Sequence, residues 1–249
     1  MGKREESRVI SVQAQAPKQD AKAKSGGGEH AGHRQRLRER LLEHGSANLA
    51  DYEVLEMLLF GAQARGDTKP MAKRLLKAFG SVSAILAASR EDLLKVEGVG
   101  TTSVALLKVT YEAGRRLARE ELYERPVVNS HDKVVAYCRT EIGHGKVEQL
   151  LLLFLDNKYN VIADERHQRG TVNHTPAYPR EIVKRALDHG ASFLILVHNH
   201  PSGDTRPSRA DIKMTEDIGA AAKPMGIAVV DHIIISKREH FSFKSNGLL

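Results

Sequence analysis

The segment from residue 193 to residue 211 constrains the fold of this chain most, because it brings three potential metal ligands into one strand–loop–helix unit. Phe193–Val197 is a short apolar run with branched side chains, which predicts a buried strand. His198 and His200 continue this run, and side chains two residues apart in a strand lie on the same face. Asp211 falls in the first turn of the helix that follows. The sequence therefore predicts two imidazoles and one carboxylate at the carboxyl end of a buried strand.

Three protein ligands are the usual number in a hydrolytic zinc site. Such a site leaves the fourth tetrahedral position to water, whereas a structural zinc site is closed by four protein ligands. Zinc lowers the pKa of the water that it binds to about 7, and a nearby carboxylate can accept and return the proton. The three-ligand set therefore predicts a hydrolytic metal centre.

The same residues also allow a purely structural interpretation. Ser208-Arg209-Ala210-Asp211 has the pattern of a capping box, in which the Ser hydroxyl and the Asp carboxylate bind backbone amides at a helix start. A single histidine is likewise more often a structural residue than a ligand. Two histidines at strand spacing, a Pro-Ser-Gly-Asp turn and a helix-start carboxylate in one segment favour the metal site.

Composition excludes several other classes of protein. The chain has 249 residues, enough for one or two domains with a sizeable core. No apolar run approaches the roughly 20 residues of a membrane span, and the amino-terminal residues lack the pattern of a signal peptide. Cys138 is the single cysteine, which excludes an internal disulfide and a cysteine-rich zinc site. We therefore expect a cytoplasmic protein without a membrane partner.

The chain divides into three predicted regions. Residues 1–28 are polar and end in glycines, so we expect a disordered arm. Residues 29–123 have helical periodicity almost throughout and predict an all-helical domain. Residues 127–249 mix helical and strand patterns without regular alternation, which predicts an α+β domain beyond a junction near Pro126.

Within the third region, the patterns predict helices, a central strand with a hairpin, and two closing strands around the metal segment. In chain order these are Asp132–Arg139, Glu148–Asp156 with Tyr159–Ala163, Pro179–Leu187, the metal strand, a helix from Ser208 to Lys223, Val229–Ile235 and Phe241–Phe243. The strand that begins at Glu148 is predicted to be a central strand of the sheet.

The helical region contains a short glycine turn with the features of a phosphate-binding element. Gly98-Val99-Gly100 lies between an apolar helix end and the helix that starts at Thr101, and it resembles the turn of a helix-hairpin-helix motif. Backbone amides at such a helix start bind DNA phosphates without reading the base sequence. The net charge of +7 also favours binding to polyanions. The alternative is a packing hairpin that only joins two helices. A basic helix from His33 to Leu42 likewise predicts either a phosphate-contacting face or a solvated one.

The metal segment and the chain around it resemble RadC-type proteins of the JAB/MPN superfamily. The signature of that superfamily is a glutamate, then His-x-His, seven residues that begin with Pro, then Ser, two residues and Asp, and this chain fits it from His198 to Asp211. The resemblance covers about residues 30–249. It implies a mixed-sheet domain of the cytidine-deaminase-like type and a Zn2+ ion on His198, His200 and Asp211. It also implies that Ser208 helps to hold the oxyanion of a tetrahedral intermediate.

The resemblance further implies a glutamate that activates water near the start of the first core strand. Glu148 lies there and is our first candidate, followed by Glu165 at a strand end and Glu181 on the helix before the metal strand. Burial of Glu148 beside the apolar run would raise its affinity for a proton toward that of a general base. The alternative for Glu148 is a charge at a strand edge that protects against aggregation.

Three functions remain open at this point. The first is a zinc-dependent metallohydrolase, similar to metallopeptidases and isopeptidases, that cleaves an amide of a peptide or protein. The second is a DNA-associated binding module with a non-hydrolytic metal site. The third is a metal-dependent nuclease, but the nuclease motif called His-Asn-His spreads its residues over a hairpin and a helix, whereas here they are consecutive. The family name suggests a role in DNA repair, and the sequence makes no prediction of the natural substrate or the oligomeric state.

Overall fold

The computed structural model of the protein describes residues 28–124, 126, 127, 130–167 and 178–249. The arm predicted at residues 1–28 lies outside these ranges except for Gly28, which begins a helix. Among the described residues, no helix is both long enough and apolar enough to cross a membrane. A helical half is followed by a half built on a five-stranded sheet, which confirms the predicted α+β class.

The first half consists of six helices separated by turn residues. They are α1 (Gly28–His44), α2 (Asp51–Phe60), α3 (Lys69–Phe79), α4 (Val82–Ala87), α5 (Arg90–Leu94) and α6 (Thr101–Tyr123). Helix α3 has Pro70 in its first turn and ends at Gly80, whose φ of +86° is a left-handed conformation that glycine adopts without strain. The side chains of Ser81 and Ser89 cap the starts of α4 and α5.

Apolar residues from five of these helices and from the glycine turn form one core. Its fully buried members include Leu55, Leu59, Leu75, Ile85, Leu93 and Leu107. Burial of each such side chain stabilises the fold by about 1.5–3 kcal/mol. Val99, in the middle of the glycine turn, is 7% exposed and belongs to the same core. The turn is therefore anchored by packing, whatever else it binds.

The second half alternates helices and strands around the sheet. Its elements are α7 (His131–Ile142), β1 (Leu150–Leu155), β2 (Val161–His167), α8 (Pro179–Asp188), β3 (Phe193–Asn199), α9 (Arg209–Ala222), β4 (Ala228–Ile235) and β5 (His240–Ser242), with short 3-10 turns at Lys223–Met225 and Lys244–Asn246. The strand order is β2-β1-β3-β4-β5. Strands β3 and β4 are parallel and the other neighbours are antiparallel, so the sheet is mixed as predicted.

Strand β1 is a central strand, as predicted, because it pairs with β2 on one side and with β3 on the other. Strand β3 lies in the middle of the five strands, between β1 and β4, and β5 extends the sheet beyond β4. The apolar run of β1 reflects the helices that cover both of its faces, and such burial does not require the middle position of a sheet.

The sheet separates two apolar layers. Leu151 and Val197 lie on one face with residues of α7, whereas Leu152 and Leu196 lie on the other face with residues of α8 and α9. This alternation follows from the two-residue period of a strand. Because His198 is two residues after Leu196, it lies on the face that α9 covers.

Helix α6 extends from the helical core into the sheet half. Its residue Leu122 is 1% exposed and packs in the layer of α7. Hydrogen bonds from α6 reinforce this contact, namely from Arg115 to Glu141 (2.7 and 3.0 Å), from Arg119 to Asp164 (2.7 and 3.0 Å) and from Tyr123 to Asp164 (2.6 Å). Tyr137 of α7 also donates to Asp164 at 2.5 Å. One helix thus ties the two halves together through two carboxylates whose side chains are largely buried.

Candidate metal centre

The structure brings the three predicted ligands together. His198 is near the end of β3, and His200 directly follows the strand, where its amide donates to the carbonyl of Ile235 at 2.9 Å. The Nε2 atoms of the two histidines lie 2.9 Å apart. Oδ1 of Asp211 is 3.3 Å from Nε2 of His198, and Oδ2 is 3.7 Å from Nε2 of His200. Within the described residues, these three form a group whose potential ligand atoms all lie within 4.8 Å of one another.

The capping box at the start of α9 is present as well. Oγ of Ser208 accepts from the amide of Asp211 at 3.2 Å, and Oδ2 of Asp211 accepts from the amide of Ser208 at 2.7 Å. The structural interpretation and the metal interpretation are therefore compatible. The cap fixes the orientation of the carboxylate, and its other oxygen, Oδ1, faces the imidazole of His198.

A buried histidine lies behind the site. His232 on β4 is fully buried, and burial lowers its pKa to about 3, with a smaller lowering from the neighbouring imidazole of His198. His232 is therefore neutral at physiological pH. It can donate from one ring nitrogen and accept at the other, which is what its two neighbours require.

His198, His232 and Thr215 form a series of hydrogen bonds that ends at the backbone of Asp211, and this last acceptor determines where the protons lie. The carbonyl oxygen of Asp211 can only accept, so the hydroxyl of Thr215 donates to it at 2.7 Å. Thr215 accepts from Nδ1 of His232 at 2.6 Å, which makes Nδ1 the protonated nitrogen. Nε2 of His232 then accepts from Nδ1 of His198 at 2.7 Å. In its neutral form, His198 is left with an unprotonated Nε2 that faces Asp211.

His200 is oriented by the loop that follows it. Its Nδ1 donates to the carbonyl of Asp204 at 2.6 Å, so Nε2 is the unprotonated nitrogen of the neutral ring. The turn closes with a hydrogen bond of 3.1 Å from the amide of Gly203 to the carbonyl of His200. Gly203 has a φ of +93°, a conformation that a residue with a Cβ atom adopts only with strain. The Pro-Ser-Gly-Asp turn therefore positions the second imidazole.

This arrangement fits a zinc ion. Two imidazole lone pairs and a carboxylate face one another, and such donors repel unless a cation lies between them. Ligands at about 2.0–2.1 Å from a tetrahedral zinc ion lie about 3.3 Å apart, and the observed separations of 2.9, 3.3 and 3.7 Å are spread around that value.

The charge of Asp211 suits the same role. Partial burial raises the pKa of this carboxyl, but the hydrogen bond that the protonated form of the His198 ring would donate from Nε2 and the hydrogen bonds at Ser208 outweigh burial and hold the pKa well below its usual range. The side chain is therefore a carboxylate at any physiological pH. A metal ion would not have to displace a proton from it.

Glu148 lies at the edge of this site, although not as we expected. It precedes β1 by two residues and is exposed, so the predicted burial is wrong. The strand begins only at Leu150, which leaves Glu148 in the loop before it. The pairing of β1 with β3 nevertheless continues there, because the amide of Asn199 donates to the carbonyl of Gln149 at 3.3 Å. One residue further along this antiparallel pair, Glu148 is the residue opposite His200.

Glu165 has a structural role on β2. Hydrogen bonds from Arg185 and His189, at 2.8 and 2.7 Å, hold its carboxylate against α8. The bond from Arg185 is the main cause that lowers the pKa of Glu165 to about 2, which makes it a poor proton acceptor. Glu181 lies in the first turn of α8 with Oε2 3.7 Å from Nε2 of His167. Neither residue is a better candidate than Glu148.

The glycine turn of the helical half is exposed except for its central residue. Gly98 has a φ of +84°, and Gly100 is the N-cap of α6, which no side chain caps. The guanidinium of Arg74 lies against this turn, because Nη2 is 3.1 Å from where a Cβ atom on Gly98 would be and Nε donates to the carbonyl of Glu97 at 3.0 Å. Backbone amides and one cation are thus exposed together.

Sequence reasoning missed His232, Thr215 and the role of Asn199. His232 and its neighbour Asp231 are the two polar residues of a strand that is otherwise apolar, and Thr215 is four residues after Asp211 on the same face of α9. Those signals mark the residues as unusual. They do not show that both face His198, because that depends on how β4 and α9 pack against β3.

Comparison with known proteins agrees with this structure. Residues 128–248 match the family described as RadC-like JAB domain, and residues 29–105 match the family described as UPF0758 N-terminal. A UPF0758 protein of Rhodobacter capsulatus is 51% identical over 213 residues, which make up 86% of this chain and 100% of that protein. These matches confirm the resemblance inferred from the signature residues. The chain belongs to the RadC family, with a UPF0758 N-terminal region followed by a RadC-like JAB domain.

Proposed function

We propose that this protein is a zinc-dependent hydrolase that cleaves an amide bond of a peptide or protein. One observation carries the proposal. The hydrogen bonds of His198 and His200 leave both Nε2 atoms unprotonated and aim them, with the carboxylate of Asp211, at one volume. Three protein donors leave room for a fourth ligand, as in hydrolytic sites. Membership of a family with a JAB domain supports the same reaction class, because JAB domains are often metal-dependent hydrolases.

Each of the site residues would have a separate role in the reaction. His198, His200 and Asp211 would hold Zn2+, which when bound supplies Lewis acidity and makes hydroxide accessible near neutral pH. Glu148 would take a proton from the attacking water and return it to the leaving nitrogen, so that a C–O bond forms as the C–N bond breaks. The hydroxyl hydrogen of Ser208 would stabilise the developing oxyanion, since its oxygen already accepts from Asp211 in the cap.

Metal analysis and hydrolysis of the same preparations test this proposal. We expect about one zinc ion per full-length chain and hydrolysis within a mixture of internally quenched fluorogenic peptides and an isopeptide-linked substrate. His198→Ala and Asp211→Ala should each lose both zinc and activity. Lys213→Ala is a matched control on α9, because its partner Asp217, 3.0 Å away, lies on an exposed part of that helix. A fully zinc-loaded chain that cleaves none of these amides would contradict the proposal.

A second function, binding of DNA through its phosphates, rests on the glycine turn. Exposed amides at the start of α6 and the guanidinium of Arg74 offer hydrogen bonds and charge to one phosphate group. The net charge of +7 favours such contacts. Together with the hydrolase, this would place the protein at DNA in the cytoplasm, in keeping with a role in repair.

Two substitutions at Gly100 separate this function from a packing role. Gly100 has ordinary φ, and an added Cβ atom would meet nothing within 4 Å, so both Asp and Asn can serve as N-caps there. Gly100→Asp should weaken binding to a short duplex several-fold by repelling phosphate, whereas Gly100→Asn should not. Affinity should also fall steeply with salt. Equal affinity of the two variants, or no binding at low salt, would leave the turn as a packing hairpin.

A further inference from the structure

We propose that Asn199, which lies between the two histidine ligands, is a positioning residue for the loop that carries Glu148. Residues 143–149 form this catalytic loop, between α7 and β1. Asn199 is 1% exposed and lies on the sheet face opposite to His198 and His200, because strand residues alternate between faces. It therefore cannot share their metal, although it is covalently next to both.

The side chain of Asn199 binds the catalytic loop at three backbone groups. Oδ1 accepts from the amide of Gln149 at 2.7 Å, and Nδ2 donates to the carbonyl of Val147 at 3.1 Å and to that of Gly145 at 3.4 Å. The backbone adds a fourth bond, from the amide of Asn199 to the carbonyl of Gln149 at 3.3 Å. These groups flank Glu148 on both sides.

Gly145 shows how closely the loop approaches this amide. A Cβ atom on Gly145 would lie 2.4 Å from Nε2 of Gln149, 3.1 Å from Nδ2 of Asn199 and 3.1 Å from the carbonyl oxygen of Ile142. The Gln149 side chain can rotate away, but the contacts at 3.1 Å with Asn199 and with the backbone of Ile142 leave little room for a side chain at this position. Glycine at this position and the carboxamide at Asn199 together allow the short connection from α7 to β1.

The consequence is a rigid link between the metal ligands and the proposed base. Glu148 is exposed and outside the strand, so its own packing does not fix its position. Asn199 holds the carbonyl before Glu148 and the amide after it, while its neighbours on β3 hold the metal. This inference rests on the proposed function for the role of Glu148, but the loop contact itself does not depend on hydrolysis.

Hydrogen exchange of the full-length zinc-loaded chain tests the contact directly. Asn199→Leu keeps the side-chain size and removes the three hydrogen bonds, so exchange in peptides that cover residues 143–150 should rise about tenfold, the factor expected for one lost hydrogen bond of ordinary strength. Asn199→Asp keeps the acceptor for Gln149 and removes the donor, so it should protect the Gln149 amide and expose the loop only in part. Exchange in α9 and in residues 228–232 of β4, which lie away from Asn199, should not change, and zinc content should stay at that of wild type.

Lys146→Ala is the matched control within the same loop. Lys146 is 79% exposed and pairs with Asp92 of α5, so its loss should leave the exchange of the loop near that of wild type. Exchange of the catalytic loop should be fastest in Asn199→Leu, intermediate in Asn199→Asp, and slowest in Lys146→Ala and wild type, which should be equal. A substitution that merely loosened the whole fold would raise exchange in every element and would not give this order.

Kinetics with a cleaved fluorogenic peptide test whether Asn199 acts through Glu148. Asn199→Leu should lower kcat about 10- to 100-fold with little change in KM, because small displacements of a catalytic group cost this much. In a Glu148→Gln background, the same substitution should lower kcat less than about twofold, since the group that it positions is already gone.

Three results would overturn the inference. They are unchanged loop exchange in Asn199→Leu, loss of zinc from that variant, and a full additional loss of kcat in the Glu148→Gln background. A chain that binds zinc and shows the expected exchange pattern but cleaves no amide would refute the proposed function and support the loop contact. The two failures are therefore distinguishable.

Discussion

At the scale of single residues, the site depends on proton positions that its neighbours impose. Thr215 and His232 determine which nitrogen of His198 is protonated, and a backbone carbonyl does the same for His200. Such second partners raise the basicity of a ligand and fix its ring orientation. They should therefore affect metal affinity although they do not touch the metal.

Replacement of His232 should weaken zinc binding without removing a ligand. His232→Phe should lower zinc affinity about 10- to 100-fold, because Nδ1 of His198 loses its acceptor. Thr215→Val keeps the size of the side chain and should give a smaller loss. Competition with a chromophoric chelator measures both. If both variants bound zinc as tightly as wild type, the hydrogen bonds from His198 to His232 and on to Thr215 would not be what orients His198.

Substitution of the three candidate glutamates should identify the base. Glu148→Gln should lower kcat by about 10²- to 10⁴-fold with zinc content unchanged, as expected for loss of a general base. Glu165→Gln and Glu181→Gln should keep most of the activity, because Glu165 is held in an ion pair and Glu181 lies at the start of α8. Full activity of Glu148→Gln would instead support the alternative that Glu148 is a solubility charge.

At the scale of secondary-structure elements, polar bonds fix helices against the sheet at its edge. Among the described strands, β2 lies at one edge of the sheet, and Glu165 connects it to Arg185 and His189 at α8. Capping performs the same task at α9, where Ser208 and Asp211 satisfy amides of the first turn. In both places a carboxylate positions an element whose apolar face already packs on the sheet.

Acid should weaken the contact between β2 and α8 in a defined pH range. The pKa of Glu165 is lowered from 4.5 to about 2, so its stabilising contribution is complete above pH 4.5 and is lost as the pH falls toward 2. The free energy of unfolding of Glu165→Gln should therefore be lower than that of wild type at pH 7, by about 1 kcal/mol at most after solvent screening. The difference should vanish near pH 2. Urea denaturation at several pH values measures it, and a difference independent of pH would contradict the assignment.

At the scale of the whole molecule, α6 joins the glycine turn to the sheet half. It starts at that turn, and its carboxyl-terminal part packs on α7 and pairs with β2 through Asp164. For Asp164, burial raises the pKa, but hydrogen bonds from Tyr123, Tyr137 and Arg119 outweigh it, so the pKa stays below its usual range. The carboxylate is therefore a charged group at the centre of the contact between the halves.

Removal of Asp164 should weaken the contact between the two halves. Asp164→Ala should lower the free energy of unfolding by about 2 kcal/mol, because it leaves two partly buried phenols without their acceptor, whereas the exposed Arg119 can be solvated by water. Asp217→Ala removes an exposed partner of Lys213 and should cost about 0.5 kcal/mol or less. Chemical denaturation followed by circular dichroism checks both values. Equal effects of the two substitutions would refute a special role for Asp164.

The sequence by itself determined the strand, the turn, the helix start and the proximity of His198, His200 and Asp211, because each depends on residues near one another along the chain. Alternation placed His198 and His200 on one face, and helix-start chemistry placed Asp211. The resemblance to the RadC family rested on the same segment, and the match of residues 128–248 to the RadC-like JAB domain confirmed it.

Tertiary structure decided what surrounds those ligands. His232 meets His198 only because β4 is parallel to β3 in one particular register, and Thr215 meets His232 only because α9 packs over both. The exposure of Glu148 and its loop contact with Asn199 depend on where α7 ends relative to β1. Residues that are far apart in sequence are related by register and packing, and a local pattern contains neither.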